Sequence, residues 1–332
     1  MLKNYFLIAV RNFWKNKVFS FINVLGLSIG ISAALVIYLI VAYDLGFDKF
    51  HKDSDRIFRV VTDLKFPDQD FKNSGVPAPL PEAFRKEVTG VEVAAAFHLF
   101  NSDVKVTVNK DAIYRHEPNI VFADEYYFSL IQYKWIAGSP ASLKEPYNVV
   151  LTKSRAEKYF GNAKDAIGKA VYFNDSIKTV VSGIVEDLKQ RTDFTFQEFI
   201  SLPTASTTSL KENYGFTEWG SVNSASQFII KLAKGTTPQQ IEKQLAQLRH
   251  KYADKDEKQT TSTKHRLQPL ADIHFNPEYD NFDQRLANLT TLYGLMLVAI
   301  FLLVLGCINF INLSQRRSKP VNVFAFNRTT LR

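Results

Sequence analysis

Asp44, Asp48, His51, Asp53 and Asp55 fall within twelve residues of the stretch DLGFDKFHKDSDRIFRV, residues 44–60. Carboxylates beside an imidazole could ligate a cation or move a proton. Neither constellation is complete. Asp53-Ser54-Asp55 has the opening of a calcium loop but lacks the loop glycine and the closing glutamate. Asp48 and His51 alone fall short of a coordination sphere. The better reading is a turn, in which Asp53 to Asp55 bring the chain into a strand at RIFRVV.

His98, His265 and His274 are scattered without metal spacing and read as satisfied or exposed histidines. FGNAKDAIGK has glycines and a lysine but not the GxxxxGK[ST] order that cradles phosphate. There is no Gly-x-Ser-x-Gly elbow to raise a serine nucleophile. Glu186 and Asp187 read as turn residues instead of an acid–base pair. No catalytic, cofactor-binding or metal-ligating residue is assigned, and the chain does not read as an enzyme.

The elements that hold these residues are bounded by two apolar runs. Val18 to Tyr43 carries no charge across 26 positions, and a second uncharged run covers Leu286 to Gln315. Each exceeds the roughly 20 apolar residues a helix needs to cross a bilayer. A signal peptide would have a shorter apolar core and a small-residue cleavage site, so the first run reads as a span. The 46% hydrophobic content and a mean hydropathy of −0.12 hide this concentration.

Charge gives the orientation. Lys3, Arg11, Lys15 and Lys17 precede the first run, and Arg316, Arg317, Lys319, Arg328 and Arg332 follow the second, with no acidic residue at either end. Without these nine, 32 basic residues face 33 acidic ones, so the +8 of the whole becomes −1 between Asp44 and Arg285. By the positive-inside rule both termini are cytoplasmic and the middle lies outside. The basic pI records topology and gives no reason to expect nucleic acid. Cys307, the one cysteine, lies inside the second run, so the outer region must be stable from packing alone.

Residues 2 to 14 place Leu2, Tyr5, Phe6, Ala9 and Phe13 at helical spacing, an amphipathic segment suited to the inner lipid interface. Further on, strands are expected at 56–63 and 91–98 around a helix at 78–88. A second β-α-β unit has strands at 226–232 and 264–270 around a helix at 236–253. Short strands at 104–108, 118–122, 148–152, 169–174 and 178–185 lie between, with helices at 124–131 and 154–161. The turn-rich stretch 203–226 reads as an exposed loop.

In combination and in order, several stretches resemble the permease subunits of the MacB and FtsX group of ABC transporters. They are NYFLIAVRNFWKNKVFSFINVLGLSIGISAALVIYLIV, FDKFHKDSDRIFRV, VPAPLPEAFRKE, FADEYYFSLIQYKWIAGSP, VVLTKSRAEKYFG with AIGK, and LLVLGCINFINLS. The resemblance implies an α+β fold: two transmembrane helices flank a periplasmic domain of two β-α-β porter-like halves with a β-rich inserted subdomain. The expected division is a cytoplasmic amphipathic segment at 1–17, spans at 18–43 and 286–313, and a cytoplasmic tail at 314–332. The periplasmic core is then 44–285, with porter-like parts at 44–103 and 225–285 and the insertion at 104–224.

The resemblance further implies an inner-membrane permease dimer driven by a separate cytoplasmic ATPase subunit, which would hold ATP and magnesium. A periplasmic adaptor, an outer-membrane channel and membrane lipid are the other implied partners. The tail QRRSKPVNVFAFNRTTLR departs from the basic helix, coupling segment and further spans of such permeases, so a truncated chain is expected. Two rival readings stand beside this one. A membrane-anchored sensor should continue into a signalling module, and an FtsX-like regulator should act on a cell-wall hydrolase without transport.

Overall fold

The computed structural model describes residue 14 and residues 17–100, 104–109, 112–117, 119–252, 262–282 and 285–318. The amphipathic segment expected over residues 2 to 14 lies outside these except for Trp14, and the tail lies outside them beyond Ser318. The chain forms two compact units, Met1–Leu45 with Asn288–Arg332, and Gly46–Ala287.

In the first unit the described residues form two long helices, α1 (Lys17–Asp44) and one at Leu289–Ser318. Both are long and apolar enough to cross a membrane. Gly26 and Gly30 have the G-x-x-x-G spacing that lets helix backbones approach closely. A Cβ at Gly30 would lie 3.7 Å from the Leu302 carbonyl oxygen, and one at Gly306 would lie 3.2 Å from Leu27 Cδ1.

In the second unit the strands are β1 (Ile57–Lys65), β2 (Asp70–Asn73), β3 (Val76–Pro77), β4 (Val91–Leu99), β5 (Val104–Asn109), β6 (Ala112–Glu117), β7 (Ile120–Ala123) and β8 (Trp135–Ala137). They continue as β9 (Asn148–Thr152), β10 (Ala170–Phe173), β11 (Ile177–Val185), β12 (Glu198–Ser201), β13 (Val222–Asn223), β14 (Ser226–Leu232) and β15 (Ser262–Pro269). Thirteen of them make one sheet in the order β15-β1-β14-β4-β7-β12-β9-β11-β10-β5-β6, with β2 beside β1 and β8 beside β11.

The first four strands of that order are antiparallel neighbours. They belong to two β-α-β units, one containing α2 (Leu80–Glu87) and the other α7 (Pro238–Tyr252), where α3 (Tyr127–Leu130), α4 (Lys153–Phe160), α5 (Leu202–Thr207) and α6 (Leu210–Asn213) lie between them. The strands of the two units interleave, the split β-α-β arrangement of ferredoxin-like folds. Sequence explains the helices. In α7, Gln240 Oε1 accepts the Thr237 N–H at 2.9 Å, and Arg249, His250 and Lys251 occupy the last turn, where the helix dipole favours cations.

Strand alternation assigns the two faces. Phe58, Val60, Ala94, Ala96, Phe228 and Ile230 pack under Phe84 of α2 and Ile241, Leu245 and Leu248 of α7. Ile57, Ala95, Phe97 and Ile229 point the other way, against Phe194, Phe196, Leu270 and Ile273. At the outer edge of the sheet the Leu267 N–H is taken by Glu242 at 3.0 Å, which blunts an edge that would otherwise invite another strand. A separate core under β9–β11 is built from Val149, Leu151, Tyr159, Val171, Phe173 and Val181.

The stretch 203–226 is not an exposed loop. It carries α5, α6 and β13, with Ala205, Tyr214 and Ala225 buried. Its turn residues are anchored by these few apolar side chains, too sparse to show a period. The strand β12, EFIS, is buried at every position and was equally invisible, since four residues give no alternation to read.

Candidate functional site

Three segments converge on the face of β1 opposite α2 and α7: a leading segment at 46–51, a strap at 191–196 and a trailing segment at 272–282. Their contacts are polar and buried. Asp48 has a left-handed backbone, φ 52, a conformation that aspartate tolerates better than most residues. Its N–H donates to the Arg191 carbonyl at 3.0 Å. Its carboxylate accepts from the Thr192 hydroxyl, from His51 Nε2 at 3.1 Å and from the Asp193 N–H at 3.3 Å.

Asp193 repeats this on the trailing side. Its Oδ1 accepts from His274 Nδ1 at 2.9 Å and from Asn281 Nδ2 at 3.2 Å. A carboxylate can only accept, so these bonds place the ring protons on His51 Nε2 and His274 Nδ1. Phe47 stacks on His274 with centroids 3.7 Å apart and planes 13° apart. None of the side chains of Asp48, His51, Asp193 and His274 is more than 2% exposed.

Arg59 supplies a buried cation from the strand itself. Its guanidinium donates to Gln268 Oε1 at 2.9 Å and to the carbonyls of Tyr279 at 3.2 Å and Asp280 at 2.7 Å. Burial lowers its pKa to about 10, opposed by the charges of Asp193, Asp272 and Asp280, so it stays protonated at neutral pH. Asp280, like Asp48, has a left-handed backbone, φ 49.

The residues singled out by sequence separate here. Asp48, His51 and His274 come together; the others do not join them. Asp44 is the last residue of α1, and Asp55 is exposed on the 54–56 turn. Asp53 pairs with Arg56 and Lys231, each at 2.8 Å, and Lys231 holds its carboxyl below the usual range. The stretch after α1 is therefore more than a turn into β1, because Asp48 docks it to a strap 144 residues away.

His98 is buried between the Tyr214 and Phe216 rings, and burial pushes its pKa down to about 3. His265 meets Thr62 Oγ1 at 3.1 Å and is pushed down equally. Glu186 pairs with Lys134 at 2.8 Å, while Asp187 accepts the Ser154 N–H at 3.0 Å at the start of α4. Elsewhere, burial raises Asp124 to about 6, against Arg85 and the N–H groups of Ala96, Tyr126 and Tyr127. Thr192, Asp193, Asn281 and Arg59 carried no sequence signal, being single polar residues in unremarkable surroundings.

Among the described residues no three of His, Cys, Asp and Glu are placed to hold a metal ion. What the junction can do is mechanical: it ties the segment leaving α1 and the segment approaching the last helix, α8 (Leu289–Ser318), to one strap on the sheet.

A family described as MacB-like periplasmic core domain matches residues 20–248. A solved domain of a protein from Porphyromonas gingivalis, described as a permease, is similar in fold at 17% identity and a TM-score of 0.58. That similarity covers 74% of this chain and 99% of the other. The periplasmic region of MacB from Actinobacillus actinomycetemcomitans also matches, at 17% identity and a TM-score of 0.44 over 63% of this chain and 88% of its own. No curated protein matches.

Proposed function

The chain belongs to the MacB-like periplasmic core domain family, as an inner-membrane permease of the MacB/FtsX type, and from that premise we propose that it turns ATP-driven helix movement into movement of its periplasmic domain. ATP and magnesium are held by a separate cytoplasmic ATPase subunit, and this chain carries no hydrolytic chemistry of its own. Two copies form the permease. Both termini are cytoplasmic and residues 46–287 are periplasmic, where they act on substrate outside the bilayer, as in efflux with an adaptor and an outer-membrane channel.

The observation that carries this reading is the buried junction. A domain merely anchored to a membrane needs only flexible linkers. Here both connecting segments are fixed to the sheet by buried carboxylates, whose release would leave charge uncompensated. Movement of the helices is then passed to the domain instead of being lost in slack chain.

Two measurements test the proposal. With Cys307 replaced by serine, single cysteines at Lys169 and Ser318 are exposed to an impermeant thiol reagent on spheroplasts. Labelling at 169 and none at 318 is expected, and the reverse pattern contradicts the topology. ATP turnover by the ATPase subunit in nanodiscs should rise when this chain is present. Turnover indifferent to the chain contradicts the coupling.

A further inference from the structure

We infer that the leading segment, the strap and the trailing segment form one cooperative latch, so that the two membrane-connecting segments are released together and never singly. This rests on the junction reading above and adds how that junction is regulated.

The contacts close a cycle. Neighbouring strap residues hold different segments: the Thr192 hydroxyl and the Asp193 N–H hold Asp48, while the Asp193 carboxylate holds His274 and Asn281. The third side is the Phe47 ring lying on His274, next to Asp48 in sequence. Were the strap contacts two separate tethers, either segment could leave alone. In a closed cycle each departure removes a group that the other contact uses.

Two physical consequences follow. If the trailing segment leaves, a fully buried Asp193 carboxylate loses two donors, and Phe47 loses the ring that seats the leading segment. If the leading segment leaves, the strap keeps Phe194 and Phe196 in the core, but the Asp193 N–H and the Thr192 hydroxyl lose their acceptor, which loosens the residue whose carboxylate meets His274. Coupling of this kind is reciprocal by linkage. Asp48 and Asp280 are both held in left-handed backbone, one by the strap and one through carbonyls bonded to Arg59, so both segments also have local relaxation to gain on release.

Hydrogen–deuterium exchange on the full chain in nanodiscs tests the latch. Asp193→Asn removes the charge facing the trailing segment but keeps the backbone N–H that serves Asp48. Exchange should rise by about tenfold in residues 46–51 as well as in 272–282, with β1 and β14 unchanged. Thr192→Val removes the hydroxyl that Asp48 accepts and also the acceptor of the Phe194 N–H inside the strap, while leaving His274 and Asn281 untouched. It should raise exchange in 272–282 by a comparable factor, with Thr192→Ser, which keeps the hydroxyl, restoring protection there. Two independent tethers would instead give each variant a local effect on its own segment, and that result, or no effect in either segment, overturns the latch. If Asp193→Asn also strips protection from β1, Thr192→Val decides by the same two readings. Coupled exchange in a chain that leaves ATP turnover unaffected would retain the latch and reject the permease coupling. Independent exchange in a chain that stimulates turnover would do the opposite.

Discussion

Two pairs of buried histidines lie on opposite sides of the same four strands. His98 and His265 share the face of Ala94, Ala96 and Leu267, where α2 and α7 pack, and neither is bonded to a carboxylate in its surroundings. His51 and His274 lie at the junction, each bonded to an aspartate. The first pair is kept neutral by desolvation and behaves as bulky core. The second pair belongs to a buried polar assembly, in which each ring is held by a carboxylate whose loss would leave charge uncompensated. One face packs the two helices on the sheet, and the other gathers the segments at the two ends of the domain.

Acidification should separate the faces most strongly. In the folded state the pKa values of His98 and His265 are pushed down to about 3, while the unfolded chain takes up protons near the ordinary value of 6.5. A lowered folded pKa means stability is complete above pH 6.5 and is lost as pH falls toward 3. The loss can reach on the order of 4 kcal/mol per histidine. Asp124, raised to about 6, works in the opposite sense: the fold binds its proton first, and stability rises as pH falls from 6 toward 3.8. That shift is smaller and single, so the denaturation midpoint should fall on acidification and flatten in His98→Phe. A midpoint that climbs steadily below pH 6 would break the assignment.

Leu245→Asp attacks the helix-covered face by placing an unpaired charge between α7 and the sheet. A loss on the order of 3–5 kcal/mol in denaturant unfolding is expected. Stability left unchanged would mean α7 is not seated as described. Arg59→Met tests the junction face: it leaves the Tyr279 and Asp280 carbonyls without that donor and removes a buried positive charge that Asp193, Asp272 and Asp280 stabilise. We expect about 2–3 kcal/mol, partly recovered in Arg59→Lys. Phe47→Leu keeps apolar bulk but loses the stack on His274, for about 1 kcal/mol. Its effect should appear mainly as faster exchange at the junction, with the sheet untouched.

The helix-covered face was legible because its residues obey periods. SQFIIKL was expected as a strand at 226–232 and is β14, Ser226–Leu232, while the helix expected at 236–253 is α7, Pro238–Tyr252. Apolar residues repeating at 3.6 or 2 announce a buried face before any partner is known. The junction has no such signature. Asp48 and Thr192 are 144 residues apart, and Asp193 and His274 are 81 apart. Asp48 and His51 were visible as a local pair, but a pair three residues apart carries no information about a distant acceptor. Only the topology, which brings the strap beneath β1, turns a turn-like stretch into a buried docking point.

Passage of helix movement to the domain through the junction is read most directly as a distance. Spin labels at Lys169→Cys in the Cys307→Ser chain, assembled with the ATPase in nanodiscs as the proposed two-copy permease, can be measured by double electron–electron resonance with and without ATP. The inter-label distance is expected to change on ATP binding, and that change to shrink or vanish in Asp193→Asn. A distance that ignores ATP, or an ATP response identical in the variant, would contradict passage through the junction.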